Sequence, residues 1–159
     1  MAVLFSAREV VEAAVEKEKK RREFYAKVFE LSTNKDMKAF FRFLMEEEDR
    51  HVAAFEQIRD KLFVETHSAE YDDDMQAYMD SVIDNRLYSH IDSKDFVQKA
   101  ISTKEVFRMA IGFEKDAILY FMEFLPYLTE SDRKIVSVLI EEEKGHIRKL
   151  ADMEQRMAE

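Results

Sequence analysis

The sequence predicts an all-α fold: four long helices in a bundle made of two helical hairpins, joined by a long crossover with short helices. Three observations carry this. With 2 glycines and 1 proline in 159 residues, the chain has few of the residues that make the tight turns of a β-rich fold, while strong helix formers abound. Apolar residues recur at helical spacing through four separate stretches. The second half also repeats features of the first in the same order, which makes the chain two related hairpins. Its length suits one domain with a proper core, so residues 1–159 read as a single domain.

Ser6 followed three residues later by Glu9 has capping-box spacing, and Val10, Val11, Ala14, Val15, Tyr25 and Val28 continue a helical stripe, so the first helix spans about Ala7 to Leu31. The segment STNKD is a turn with cap residues. Phe41, Leu44, Met45, Val52, Phe55 and Ile58 then mark a second helix, to about Phe63. Residues 64–103 are less regular and read as the crossover, in which the acidic run Asp72 to Asp74 precedes a short helical stretch with Met75, Tyr78, Met79, Val82 and Ile83. Ser102 and Glu105 repeat the capping-box spacing and open a third long helix to near Pro126; Thr129 or Ser131 caps the fourth. Helices of about 25 residues are roughly 38 Å long, a length the crossover can travel. The second and third helices can therefore be parallel, while short links make each hairpin antiparallel.

No cysteine is present, which removes disulfides, iron–sulfur clusters, thiolate zinc sites and thiol catalysis together. A metal would have to be held by oxygen and nitrogen. The start MAVLFSAREV lacks a basic segment before a long apolar stretch, and no apolar run reaches the ~20 residues that span a bilayer, so a soluble, cytoplasmic protein without a membrane partner is expected. The net charge of -9 argues against a nucleic-acid partner. The one basic cluster, around Lys17 to Arg22, is broken by Glu18 and reads as a solvated face.

The internal repeat aligns EKKRREFY from Glu18 with EKDAILYF from Glu114, and EEEDRH from Glu46 with EEEKGH from Glu141. Chance similarity of Glu-rich helices covers the EEE runs but not two histidines placed alike. The faces are more telling, because a solvent glutamate should have polar neighbours three, four and seven residues away. Glu114 instead has Phe107, Ala110, Ile111, Ala117, Ile118 and Phe121, and Glu143 has Val136, Leu139, Ile140, Ile147 and Leu150 with His146 on the same stripe. Glu48 has Phe41, Leu44, Met45, Val52 and Phe55, with His51 beside it. Glu18 has Val11, Ala14, Val15 and Tyr25, but also Arg21 and Arg22. Glu16 lies among charged residues and reads as solvent-facing.

Burying a bare carboxylate costs several kcal/mol, against a net stability of ~5–15 kcal/mol for a domain. Four such groups must be protonated, paired with Arg or Lys, or bound to cations. Two divalent ions would bring enough charge, with neutral imidazoles adding none. A Glu and a His three residues apart share a helix face and can reach one ion, and the sequence does this twice. Oxygen-rich sites with one imidazole per ion suit iron or manganese well and zinc or cobalt acceptably.

At this point the residues resemble the ferritin-like superfamily, in particular rubrerythrin-like di-iron carboxylate proteins, over essentially the whole chain. Such bundles take one Glu from each of two helices and a Glu-x-x-His from each of the other two. The resemblance implies two iron ions held by Glu18, Glu48, His51, Glu114, Glu143 and His146, with Glu48 and Glu143 bridging, Glu18 and Glu114 terminal, and one His on each ion. It further implies that Tyr25 hydrogen-bonds a ligand carboxylate of the opposite hairpin, Glu114, although ordinary core packing would also place a tyrosine there.

Three departures are plain. The further carboxylate that rubrerythrins carry one turn after the third-helix ligand is Ala117 here; the four-cysteine rubredoxin domain has no counterpart; and Asp49 stands where bacterioferritin has its haem-ligating methionine, so no haem is expected. His67 and His90 lie in the crossover without a Glu three residues before them and read as surface or loop residues. Gly145, inside the last helix, would leave room beside the site or allow a close helix approach.

The function expected from this is an oxidoreductase that reduces peroxide or dioxygen at a metal pair, with electrons from an external donor protein. The alternatives are a ferroxidase or iron-handling protein, and a bundle in which metal is structural or absent. A homodimer is expected, as in relatives.

Overall fold

The computed structural model describes residues 3–61, 68–71 and 94–158. Helix α1 spans Ala7–Leu31 and α2 spans Lys35–Lys61. The turn between them is set by Asn34, whose Oδ1 accepts a hydrogen bond from the Met37 amide at 3.0 Å, a side-chain cap on the orphan amides of α2. Helix α3 spans Lys94–Thr103, α4 spans Val106–Phe124, a short 3-10 turn covers Leu125–Tyr127, and α5 spans Glu130–Ala158. Thr129 is the cap of α5: its Oγ1 accepts from the Asp132 amide at 3.2 Å. Among the described helices none is long and apolar enough to cross a membrane.

Ring pairs give the helix directions. Phe41 packs on Phe107 with centroids 5.8 Å apart, and Phe55 on Phe121 at 4.7 Å. Contacts advance in step along α2 and α4, so these two helices are parallel. Arg8 meets the carbonyl of Arg59, whereas Arg22 meets Asp49, so α1 and α2 run opposite ways. Arg108 meets Glu154 and Glu114 meets His146, which makes α4 and α5 antiparallel as well. The architecture is the expected all-α bundle of two hairpins.

Two details differ from the sequence reading. The third long helix does not open with a capping box at Ser102 and Glu105. Ser102 Oγ instead donates back to the Gln98 carbonyl, and α3 ends there in a left-handed stop: Lys104 has φ 60°, with Lys104 N bonded to Ile101 O and Glu105 N to Ala100 O. That is the Schellman pattern, and α4 starts afterwards with Glu105 making no side-chain cap bond. The second difference is a short antiparallel ribbon, β1 Val3–Ser6 with β2 Ser68–Tyr71, in the register Val3 to Tyr71 and Ser6 to Ser68. Val, Leu and Phe at its start suit a strand. The expected short helix around Met75 to Ile83, the acidic run 72–74, His67 and His90 lie outside the described residues.

The buried apolar side chains form two clusters. One gathers Val11, Val15, Phe55, Phe121, Val136 and Leu139, and the other Phe24, Tyr25, Phe41, Leu44, Phe107 and Leu150. On all four long helices the sequence between these clusters carries the polar residues of the site.

Candidate metal centre

Each long helix contributes to one buried polar layer. Helix α1 supplies Glu18 and Arg21, α2 supplies Glu48 and His51, α4 supplies Glu114, and α5 supplies Glu143 and His146; all are 0% exposed except His146 at 2%. Such burial of seven ionisable side chains is tolerable only if each charge is met. The spacing explains how they converge: Glu48 and His51, and Glu143 and His146, stand three residues apart on one helix face.

Ligand atoms of Glu18, Glu48, His51 and Glu143 lie within 4.8 Å of one another, and so do those of Glu48, Glu114, Glu143 and His146. Glu48 and Glu143 belong to both groups. The structure thus brings together all six residues singled out from the sequence. The imidazoles stack 5.8 Å apart, with Nδ1 of each 2.9 Å from a different oxygen of Glu143. The Tyr25 hydroxyl donates to Glu114 Oε1 at 2.5 Å.

Four residues at the site were not singled out from the sequence. Arg21, fully buried, donates from Nη2 to Glu18 at 2.5 Å, to Glu48 at 3.0 Å and to Glu143 at 3.0 Å, and from Nε to Glu48 at 3.1 Å. Arg22, its neighbour in sequence, is exposed and pairs with Asp49 at 2.9 Å. Glu142 and Glu47 lie on the outer side of the imidazoles, 2.9 Å from His51 Nε2 and 3.8 Å from His146 Nε2. Arg50 donates to both, at 2.5 and 2.9 Å. The signal for Glu47 and Glu142 was present in the repeat, since they hold matching places in the two EEE runs; carboxylates on the outer nitrogens orient imidazoles with Nδ1 inward. Gly145 serves neither purpose expected of it, because a Cβ there would meet only Arg148 Nη2 at an ordinary 3.9 Å.

Electrostatics follow from this crowding. Burial pushes the Glu48 carboxyl well above the usual range, with Arg21 only partly offsetting it and Glu143 and Glu18 adding to it. Burial, then the Glu143 carboxylate, raises Glu114 to about 7. Glu18 and Glu143 go the other way: burial opposes ionisation, but Arg21, followed by the neighbouring acids and imidazoles, holds both below the ordinary value. His51 is raised to about 10 and His146 to about 9, because adjacent glutamates outweigh burial. Tyr25 is raised well above its usual value by burial and then by Glu114.

The residues fit a pair of divalent ions. Four carboxylates and two imidazoles match hard-to-intermediate cations, and Arg21 is the only fixed cation among them. Glu18 Oε2 and Glu114 Oε2 are buried oxygens that accept no hydrogen bond among the described residues. One belongs to each ligand group, so each group keeps an unmet acceptor where an ion would sit.

A solved structure compares closely. A crystal structure from Thermotoga maritima, of a protein assigned as a ferritin-like diiron-carboxylate protein, aligns over 96% of this chain and 96% of its own at TM-score 0.70 and 26% identity. The fold is ferritin-like. No protein-family model and no curated protein sequence matches the chain. Within the ferritin-like bundle the buried carboxylate and histidine cluster lies in the middle layer, and its donor set supports two metal ions.

Proposed function

We propose that the chain is a rubrerythrin-like di-iron carboxylate protein that reduces peroxide or dioxygen in the cytoplasm, using electrons from an external donor protein. The observation that carries this reading is the pair of ligand groups sharing Glu48 and Glu143, each completed by one terminal glutamate and one imidazole. In this reading Glu48 and Glu143 would serve both ions, while Glu18 with His51 and Glu114 with His146 would each complete one position. Two redox-active ions held there would supply the two electrons that, with two protons, convert peroxide to two waters. The chain's own residues do the rest. Phe41, Phe55, Phe107 and Phe121 line the layers above and below the site and keep water out. Tyr25 holds a proton at its hydroxyl against Glu114 and fixes that carboxylate in place. Glu142, 2.9 Å from His51 Nε2, holds that imidazole with Nδ1 inward, and the Glu47 carboxylate faces His146 Nε2 from 3.8 Å. Ala117 supplies no carboxylate one turn after Glu114, so six residues of the chain would hold the ions.

The test is elemental analysis of protein purified without chelator or added metal, followed by anaerobic reduction and a peroxide titration watched by absorbance. About two iron atoms per chain and rapid oxidation by peroxide support the reading; zinc or no metal, with no turnover after iron loading, removes it.

A second reading has its own observation. Arg21 already neutralises part of the cluster, so a bundle held by a buried ion-pair network without metal is favoured by the hydrogen bonds from its head to three carboxylates. Identical melting of chelator-treated and metal-loaded protein would select it.

A further inference from the structure

The two ligand groups are symmetric in type but not in surroundings. In the internal repeat Glu18 corresponds to Glu114, so the residue three places on is Arg21 in one hairpin and Ala117 in the other. Both side chains are buried, Arg21 at 0% and Ala117 at 2% exposure. The Arg21 head lies on the Glu18 side of the site: its Nη2 donates to Glu48 and Glu143, which both groups share, and to Glu18, which only the first group contains. Toward the second group it is offset. Its Nε stands 3.9 Å from Glu114, the terminal glutamate there, whose Oε1 is taken by Tyr25. A further bond, Nη1 to the Phe113 carbonyl at 3.4 Å, fixes the head from the α4 side. Ala117, in the corresponding place one turn after Glu114, ends at its methyl group and brings no charge of its own to Glu114.

A guanidinium and a metal ion cannot share three carboxylates at such distances without strong repulsion in a dry site. The bonds to Glu48 and Glu143 burden both ion positions alike, but the charge-assisted bond to Glu18 must be broken only before an ion uses the first. We infer that Arg21 makes the two ion positions unequal: the position completed by Glu114 and His146 fills first, and that completed by Glu18 and His51 fills only as the Arg21 head withdraws. This rests on the two-metal reading above. Arg21 acts through the ligands and is a positioning residue.

The experiment is an anaerobic titration of the metal-stripped full chain with cobalt(II), followed by calorimetry and by visible absorbance. The expected result is two steps whose affinities differ by at least about tenfold. His146→Ala removes the tighter step, His51→Ala removes the weaker one, and Arg21→Gln brings the steps at least about tenfold closer. Repulsion between the ions would also separate two steps, but it does not dictate which position fills first. Loss of the tighter step in His51→Ala overturns the inference, as does an Arg21→Gln protein whose steps keep the wild-type spacing. The histidine variants keep the order testable if Arg21→Gln does not fold. Absence of cobalt binding by wild-type and all variants overturns the two-metal reading itself, an outcome distinct from two bound ions in the wrong order.

Discussion

The Tyr25 hydroxyl donates to Glu114 across 2.5 Å and so ties the first helix of one hairpin to the first helix of the other, inside the polar layer. The acceptor's second oxygen has no hydrogen bond among the described residues, so this phenol is a main support of the carboxylate. Tyr25→Phe keeps the ring against Phe24 and Phe41 and removes only the donor. It is expected to cost the metal-free chain about 1–3 kcal/mol in urea denaturation. An unchanged midpoint would show that Glu114 is supported by other groups.

Metal loading should stabilise the chain strongly, because binding occurs only in the folded arrangement. At a free ion concentration one hundred times the dissociation constant, each site adds about 2.7 kcal/mol. In a domain of this size that raises the melting temperature by roughly 5–10 °C per site. Melts of chelator-treated protein with and without manganese(II) check this, and coincident curves would count against a metal site.

Stability of the metal-free chain and its affinity for metal should respond to pH in opposite directions. Glu114 is raised from 4.5 to about 7, His146 from 6.5 to about 9 and His51 from 6.5 to about 10. A group raised on folding stabilises fully below its unfolded value and loses that contribution as pH climbs through its folded value. The Glu114 contribution therefore fades between pH 4.5 and about 7, and those of the imidazoles between 6.5 and about 9 to 10. Glu18 and Glu143, held low, stabilise above 4.5 and lose this as pH falls. Metal-free protein should thus be most stable in mildly acidic solution, while metal binding, which needs deprotonated ligands, tightens with rising pH and releases protons. Denaturation and metal titration at pH 5.5, 7 and 8.5 measure both trends; parallel rather than opposed trends would overturn the assignment.

Lys104, at φ 60°, holds a conformation that suits glycine better than a side chain with a Cβ. Lys104→Gly keeps the two backbone bonds that close α3 and should gain about 1 kcal/mol in urea denaturation. A loss of stability would mean that the lysine's own bond to the Met157 carbonyl outweighs the relief of the backbone.

The sequence made the bundle legible because its signals are periodic and redundant. Helix α1 follows the limits its apolar stripe predicts, and Thr129 caps α5. The convergence of Glu48, His51, Glu143 and His146 could be read from carboxylates set on apolar faces, since only an inward orientation explains Leu, Val and Phe at every neighbouring turn. Arg21 could not be placed in the same way. Its spacing from Glu18 fits either a surface ion pair or a buried one, and the adjacent Arg22, which is exposed, shows how little sequence separates the two fates. The stop at Lys104 was hidden because left-handed helix ends usually announce themselves with glycine or asparagine. The Ser102 and Glu105 spacing pointed to a cap that the backbone bonds had already made unnecessary. The ribbon of β1 and β2 depends on a pairing across the whole of the first hairpin, which local periodicity does not encode.

Neither ion position belongs to one hairpin. The group around His51 borrows Glu143 from α5, and the group around His146 borrows Glu48 from α2. Each hairpin nevertheless contributes the same kit of two glutamates and one histidine. Two copies of a single hairpin, facing each other as α2 faces α5, would therefore carry the full complement of ligands. Linking the copies into one chain releases the paired places from having to match, and that freedom is what allows an arginine on one side and an alanine on the other. An unequal centre of that kind is open to a single chain and closed to a symmetric pair.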